Sequence, residues 1–487
     1  MTSGHLPKGL ALLHAKVASS ILRVLRIEGS SMIKITKFGG SSVSSAGQFK
    51  KVKAIVQADP SRRFVVVSAA GKRDKFDSKI TDLLYLVNAH LQYHVTCDDL
   101  LGTIGQRFCE IAKELNLSYP ISHEFGIFRE LAKRGEYTPE YIVSRGEYFT
   151  GRMMAEYLGF PFVDAADVIT FRADSSIDME KTSEKLKAAI GEEKCFVLPG
   201  FYGATEDGKI KLLDRGGGDI TGAIVAQCLG ADLYENWTDV SGFLTADPRI
   251  VDNPKSISRI TYAELRELSY MGASVLHEEA IFPVKDAGIP LVIKNTNAPD
   301  DPGTVISEET EPGVAEPLIT GIAGKKDFVA IHVKTNHMSS KVGYIRKTLS
   351  IFERYRVSIE HIPTGIDSFA VVVQGSDVKD CLYSIVADIK SELEPDEIKI
   401  VDRLALISTV GRNMPSRPGT SGRLFGELGH AGINIRMIAQ GSEELDIVVG
   451  VDADDFERAI RVIYGAFVDS DDNIITVEEA EEEATNE

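Results

Sequence analysis

The sequence predicts an α/β protein in which a large domain on a mostly parallel sheet is followed by two small ferredoxin-like sandwiches. Three features carry that prediction. From Met32 onward, short apolar runs alternate with stretches of helical periodicity, as expected of strands joined by helical crossovers. The rhythm stops over 297–317 (NAPDDPGTVISEETEPGVAEP), a segment rich in Pro, Asp and Glu. Beyond it a strand-helix-strand-strand-helix order occurs twice.

In the first domain the strand-like runs are 33–38, 64–69, 195–201 and 291–294, and the helical ones 46–58, 78–93, 138–158 and 220–229. The helix from Thr138 has a capping threonine, Pro139 at its first position and Gly159 just past its end. Glu147 therefore sits inside a helix, two residues after Arg145. After the break, strands are expected at 328–333, 357–362 and 368–373, with helices at 343–355 and 378–393. The second copy places strands at 404–410, 433–438 and 445–451 and helices at 419–430 and 456–467. The expected division is a basic extension (1–31), a large domain (32–298), a linker (299–317), two small domains (318–398 and 399–470) and an acidic tail (471–487).

The length of 487 residues allows about two to four domains. With 54 basic and 72 acidic side chains the formal charge is −18, which makes a nucleic acid a poor partner. No run reaches the roughly 18 apolar residues of a membrane span. Cys97, Cys109, Cys195, Cys228 and Cys381 are scattered and form no CxxC pair, so disulfides and zinc are not expected and a cytoplasmic location is. Residues 1–31 precede a second methionine and lack a cleavage site after an apolar core, and so read as a start-site or added extension rather than a targeting peptide. The final VEEAEEEATNE reads as a solvated tail.

Two glycine clusters stand where phosphate chemistry would be built. Lys37-Phe38-Gly39-Gly40-Ser41-Ser42-Val43 links the first strand to a helix. The glycines permit close backbone approach, the helix start offers free N–H groups, and the lysine adds a charge for polyphosphate oxygens. Arg215-Gly216-Gly217-Gly218-Asp219 again joins strand to helix. Three adjacent glycines between a fixed cation and a carboxylate are costly for a plain turn. A third segment, Trp237 to Gly242, ends a strand and leads to Asp247-Pro248-Arg249; on its own it reads equally well as a capped loop. Gly203 to Ile210 imitates a phosphate loop, but Ile210 lacks the metal-binding hydroxyl and Glu206-Asp207-Gly208 is turn chemistry, so a hairpin is expected. The ten histidines show no metal-ligand spacing.

Together, KFGGSSV (37–43), SRGE (144–147), RGGGD (215–219), TDVSGFLTADPR (238–249) and the two C-terminal repeats resemble the aspartate kinases, members of the amino acid kinase superfamily with tandem ACT regulatory domains, in a clostridial-type branch. The resemblance spans about residues 32–467. It implies a three-layer α/β kinase sandwich and ATP-dependent phosphorylation of the β-carboxylate of L-aspartate to 4-phospho-L-aspartate, the entry to lysine, threonine and methionine biosynthesis. A carboxylate is already a nucleophile, so such catalysis needs positioning and charge stabilisation rather than a general base.

By that resemblance Lys37, Phe38, Gly39, Gly40 and Ser41 would hold the ATP phosphates, and Asp219 would orient Lys37. Arg215 would take the substrate α-carboxylate and Glu147 its α-ammonium, while Ser68 and Thr81 line the pocket. Thr238, Asp239, Leu244, Asp247 and Arg249 would bind the nucleotide, with Mg²⁺ carried on its phosphates and no protein metal site. The sequence departs from many relatives at Ser274, in MGASVLHE (271–278), where they carry a phosphate-binding lysine; Lys72, Arg73 or Lys294 are the candidate replacements. In the first repeat Met338, Ser358, Ile359, Glu360 and Thr364 match effector-binding positions. Glu360 favours lysine over threonine as feedback ligand, although Met338 and Ile359 read equally as core. The second repeat matches the half that dimerises, implying a homodimer or dimer of dimers. Two alternatives stay open: another amino acid kinase, and a catalytically silent ACT sensor of amino acids.

Overall fold

The computed structural model describes residues 32–191, 194–213, 216–273, 276, 282–308, 316–415, 417–469 and 474–475. The N-terminal extension, Arg215, Ser274 and nearly all of the acidic tail lie outside the described residues. The chain divides into two compact units, one of Met1–Ser241 with Glu279–Pro302, the other of Gly242–Glu278 with Gly303–Glu487.

The first unit is built on β1 (Lys34–Phe38), β2 (Phe64–Val67), β4 (Phe196–Pro199), β7 (Leu233–Thr238) and β9 (Leu291–Asn295), all parallel, in the order β4-β2-β1-β7-β9. All four residues of β2 (FVVV) are buried, as parallel strands covered on both faces require. A side sheet pairs β3 (Thr170–Phe171) with β5 (Tyr202–Thr205), and β5 antiparallel with β6 (Ile210–Leu212). The β5–β6 hairpin, with Gly208 at φ +79°, is the turn expected in place of a phosphate loop.

Helices α1 (Ala46–Gln57), α2 (Ile80–Gln92), α3 (Asp98–Leu115), α4 (Ile121–Lys133), α5 (Pro139–Leu158), α6 (Met179–Ala189) and α7 (Gly217–Leu229) complete this unit. Thr138 caps α5 by accepting from the Tyr141 amide at 3.2 Å, and Gly159 closes it at φ +75°. Helices α3 and α4 lie outside the segments singled out from periodicity. Gly102 and Gly105 lower the helix propensity of α3, yet the Phe125 ring packs where a Cβ on Gly105 would stand, at 2.8 Å. Phe125 belongs to a cluster with Phe108, Phe128 and Phe149, ring centroids 5.4 to 6.0 Å apart, that seats α3 and α4 against α5.

In the second unit β8 (Arg259–Thr261) pairs parallel with β10 (Thr304–Ser307), and α8 (Tyr262–Tyr270) starts from a Thr261–Glu264 capping box. A two-residue pair joins β11 (Glu316–Pro317) to β17 (Ile474–Ile475). The larger sheet contains β12 (Gly321–Lys334), β13 (Ser368–Gln374), β14 (Glu397–Val410), β15 (Met437–Gln440) and β16 (Asp446–Asp452), antiparallel in the order β13-β12-β14-β16-β15. Helices α9 (Tyr344–Arg354) and α10 (Leu382–Leu393) cover one half of it, α11 (Thr420–His430) and α12 (Phe456–Phe467) the other. Both repeats are present, but they share one sheet. The 14-residue strands β12 and β14 run through both halves, with register shifts between Lys325 and Ala330. The expected strand at 357–362 is reduced to bridges of His361 with Val372 and Thr364 with Phe369, and that expected at 433–438 begins at Met437. Among the described residues no helix is long and apolar enough to cross a membrane.

Candidate active site

The carboxyl ends of β1, β2, β4 and β7 converge, as ligand-binding ends of parallel sheets do. Lys37, at the end of β1, is only 6 % exposed and forms an ion pair with Asp219 in the first turn of α7. Asp219 is fixed from below by β7: Asn236 Nδ2 donates to the same carboxylate oxygen at 2.9 Å, and the Tyr234 hydroxyl donates to the Asp219 carbonyl at 3.0 Å. The sequence turns a charged pair inward here because each end of it is held by a strand and a helix start.

The backbone around this pair is tightly drawn. The Gly39 amide donates to the Trp237 carbonyl at 2.9 Å, Gly71 to the Gly40 carbonyl at 2.8 Å, Ser68 to Phe38 at 3.1 Å and Gly200 to Val67 at 2.8 Å. A Cβ on Gly71 would stand 2.5 Å from the Gly40 carbonyl carbon, so the two loops pass with no space for a side chain. A Cβ on Gly218 would lie 2.7 Å from Ser68 Oγ and 3.4 Å from Lys37 Cε, which puts Gly218, Ser68 and Lys37 on one small space. Gly216, the N-cap of α7, takes φ +82° and brings no side chain to the helix start; the Asp219 and Ile220 amides turn back to its carbonyl at 2.7 and 3.1 Å. Arg215, the residue before it, lies outside the described residues.

Glu147, on α5, accepts a bond from the amide of Ala69, the residue after Ser68. It is 4 % exposed, its Oε2 has no hydrogen-bond partner, and burial pushes its carboxyl up to about 8 against the lowering effect of a bond from the Ala69 amide. Gly146 is what lets α5 come this close, since a Cβ there would be 3.0 Å from Ala69 Cβ. Thr81 is half-buried at the start of α2, whose Ile80 amide donates to the Ala70 carbonyl at 3.1 Å. Ser41 is likewise half-buried, in the short 3₁₀ turn Gly40–Val43.

The nucleotide-segment residues divide between the units. Thr238 closes β7 and donates to exposed Asp239 at 3.2 Å. In the second unit Leu244 bridges to Ser256 and borders a cavity of about 560 Å³ with Pro248 and Asn253. Arg249 is not a free cation there: its Nε and Nη2 bind the Asp247 carboxylate at 2.9 and 2.6 Å, which holds Asp247 below the usual carboxylate range. Of the three cations offered for the missing lysine, Arg73 is engaged by Asp77 at 2.9 Å and Glu110 at 3.2 Å, and Lys294 donates to the Asp301 carbonyl at 2.6 Å. Lys72 is exposed between them in the loop that Arg107 clamps at Gly71 and Ser78.

Ser358, Ile359, Glu360 and Thr364 of the matched effector positions lie along the 357–364 segment beside β13, and Met338 opens the short 3₁₀ turn Met338–Ser340. Ser358 and Thr364 are exposed, Ile359 packs on the α9/α10 core, and Met338 is buried in that core. The Glu360 amide donates to Val372 at 2.9 Å, and its carboxylate accepts from the Tyr270 hydroxyl of α8 at 2.5 Å.

A family model described as the amino acid kinase family matches residues 32–295, and an ACT domain model matches 407–467. The chain belongs to the amino acid kinase family. It is 35% identical over 449 residues to aspartokinase 3 of Bacillus subtilis (strain 168), covering 89% of this chain and 98% of that one. The crystal structure of Clostridium acetobutylicum aspartate kinase shares 47% identity at a TM-score of 0.84, over 90% of this chain and 100% of that one. E. coli aspartokinase III in complex with aspartate and ADP shares 25% identity at a TM-score of 0.68, over 89% and 99%.

Several positions of this family member escaped the sequence reading. Asn236 and Tyr234, which hold Asp219, sit in β7 beside Glu235, and Glu235 and Asn236 are each 3 % exposed. Two polar residues in a strand buried on both faces were the available signal. The Ala69 amide bonded to Glu147 left none, because a backbone group carries no residue-type mark.

Proposed function

We infer that the chain is an ATP-dependent aspartate kinase whose activity is set by its ACT region. The observation that carries this reading is the convergence of the Lys37–Asp219 pair, the Gly39–Gly40 turn and the start of α7 near Ser68, next to Ala69, whose amide bonds Glu147 with its unsatisfied Oε2. The first three suit phosphate oxygens and the last suits an ammonium group. In this reading the aspartate β-carboxylate attacks the γ-phosphorus and ADP leaves. Lys37 and the glycine amides stabilise charge on the transferring group, and Asp219 keeps Lys37 aimed without taking a proton. Arg215 holds the α-carboxylate, Ser68 and Thr81 shape the pocket, and Thr238, Asp239, Leu244, Asp247 and Arg249 serve the nucleotide. Mg²⁺ would be carried on the ATP phosphates, where it would neutralise part of their charge. Lys72 is our first choice for the cation that stands in for the lysine absent at Ser274.

For regulation, a lysine side-chain ammonium at Glu360 is the feedback contact we favour, with threonine as the alternative. Equal affinity for active and inactive arrangements would shift nothing, so the effector must prefer one. We place the division near 298, 317, 398 and 470, with assembly into a homodimer or dimer of dimers through the ACT region, in the cytoplasm. Coupled ADP release with aspartate and then glutamate, each with and without lysine, tests the whole reading. Turnover with aspartate alone, suppressed by lysine, is expected; equal turnover of glutamate sinks the substrate assignment, and lysine binding without turnover sinks the kinase.

A further inference from the structure

Two residues before Glu147, Arg145 is 6 % exposed and, among the described residues, forms no ion pair. Its Nε and Nη2 donate to the neighbouring Ser144 hydroxyl at 3.2 and 3.0 Å. The guanidinium carbon lies 4.2, 4.3 and 5.5 Å from the ring centroids of Tyr141, Tyr148 and Tyr202. An arginine cannot shed its proton, so a full positive charge is held out of water by aromatic faces and one hydroxyl, with no carboxylate among the described residues in contact. Burying a charge in this way is expensive, and an apolar side chain of similar length would fill the space among three tyrosines at lower cost.

We propose that Arg145 is a positioning residue whose buried, unpaired charge shifts Glu147 toward the carboxylate form that receives the substrate ammonium. The inference rests on the reading that Glu147 pairs with that group. The geometry explains why the two do not form a direct ion pair. Positions two apart on a helix face different ways, so the guanidinium stacks on the tyrosines, lends its field and leaves the buried Oε2 without a partner. The groups acting on Glu147 are few. Burial opposes its charged form, the Ala69 amide, its own amide and Arg145 favour it, and the hydroxyls of Tyr85 from α2 and Tyr202 from β5 are the other titratable groups that feel its charge. Tyr202 is itself turned away, donating to Asp164 at 2.7 Å.

The test compares wild type, Arg145→Gln and Arg145→Lys in the full chain. In Arg145→Gln the acidic limb of kcat/KM for aspartate should move up by about one pH unit, so that kcat/KM near neutrality falls about tenfold and the deficit closes at higher pH. Arg145→Lys, which keeps the charge and loses the flat stacking, should return most of that limb. A loss of kcat equal at every pH, or no rescue by lysine, overturns the proposal, because that is how a packing role behaves. Carboxyl ¹³C NMR of the substrate-free protein, with Glu147→Gln for assignment, separates the two inferences. A Glu147 midpoint that stays put in Arg145→Gln overturns the proposal. A midpoint that rises while the aspartate profile stays unchanged supports Arg145's action on Glu147 and removes Glu147 from the substrate site.

Discussion

At the scale of single residues, two groups at the site have opposite jobs and opposite pH behaviour. Lys37 is neutralised by Asp219 before any ligand arrives, so a phosphate held there, as we propose, would share it rather than bring it charge. Lys37→Met should lower kcat about 10²- to 10³-fold, the range for losing one preorganised charge-stabilising donor, with the fold unchanged by circular dichroism. Glu147 is held half way to protonation near pH 8 by burial. Its folded pKa is above its unfolded one, so the folded state binds the proton more tightly. The stability it contributes is present below about pH 4.5 and is lost as pH rises toward 8. The substrate-free protein should therefore lose stability across that window, and Glu147→Gln should unfold at a higher temperature than wild type at pH 8, by an amount on the order of a few kcal/mol. The same variant should raise KM for aspartate sharply. Equal melting curves at pH 8 would show that Glu147 is not a buried ionisable group.

At the scale of elements, α8 is anchored by a buried network at its first turn. Glu264 in its first turn is fully buried, binds Arg412 Nη1 at 2.6 Å, and accepts from the Thr261 amide at 2.8 Å and from the Thr320 hydroxyl. Removing one partner of such a pair leaves the other buried and unpaired. Glu264→Ala should cost about 3 to 5 kcal/mol in chemical denaturation, well beyond the effect of a lost cap alone. The other end of α8 carries Tyr270, whose hydroxyl occupies the Glu360 carboxylate. An effector ammonium would have to displace it. Tyr270→Phe should tighten lysine inhibition about fivefold, the worth of one hydrogen bond near 1 kcal/mol, and an unchanged half-inhibitory concentration would take Glu360 out of the effector site.

For the molecule as a whole, regulation by an end product is a coupling between two sites and must be reciprocal. If lysine weakens aspartate and ATP binding by some factor, saturating aspartate and a non-hydrolysable ATP analogue should weaken lysine by the same factor, about 5- to 150-fold for ordinary couplings. Calorimetric titration of lysine with and without those ligands measures it directly, and identical affinities would mean that the ACT region does not report to the site. The shared sheet gives such a signal a stiff element to act on, since β12 and β14 each belong to both ACT halves. Charge distribution fits the same picture: the chain carries a net −18, yet the site is arranged around Lys37 and the start of α7.

The sequence by itself determined the alternation that makes a parallel sheet, the capped helix that carries Glu147, the hairpin at 202–212 and the two glycine clusters. Each of these is local, set by period, cap or backbone freedom within a few residues. Only the tertiary structure decided what depends on approach between distant segments. The Asp219–Lys37 pair, 182 residues apart, is expected only through the family resemblance, and nothing in the string 215–219 says that Asn236 lies beneath it. Arg249 and Arg73 look like free cations in the sequence and are neutralised by Asp247, Asp77 and Glu110 once folded. Two repeats that read as separate sandwiches merge into one sheet, because strand length is a sequence property and strand partnership is not. Arg145 and Glu147, two apart on a helix and plainly polar in the sequence, acquire their meaning only from burial, which no single residue carries.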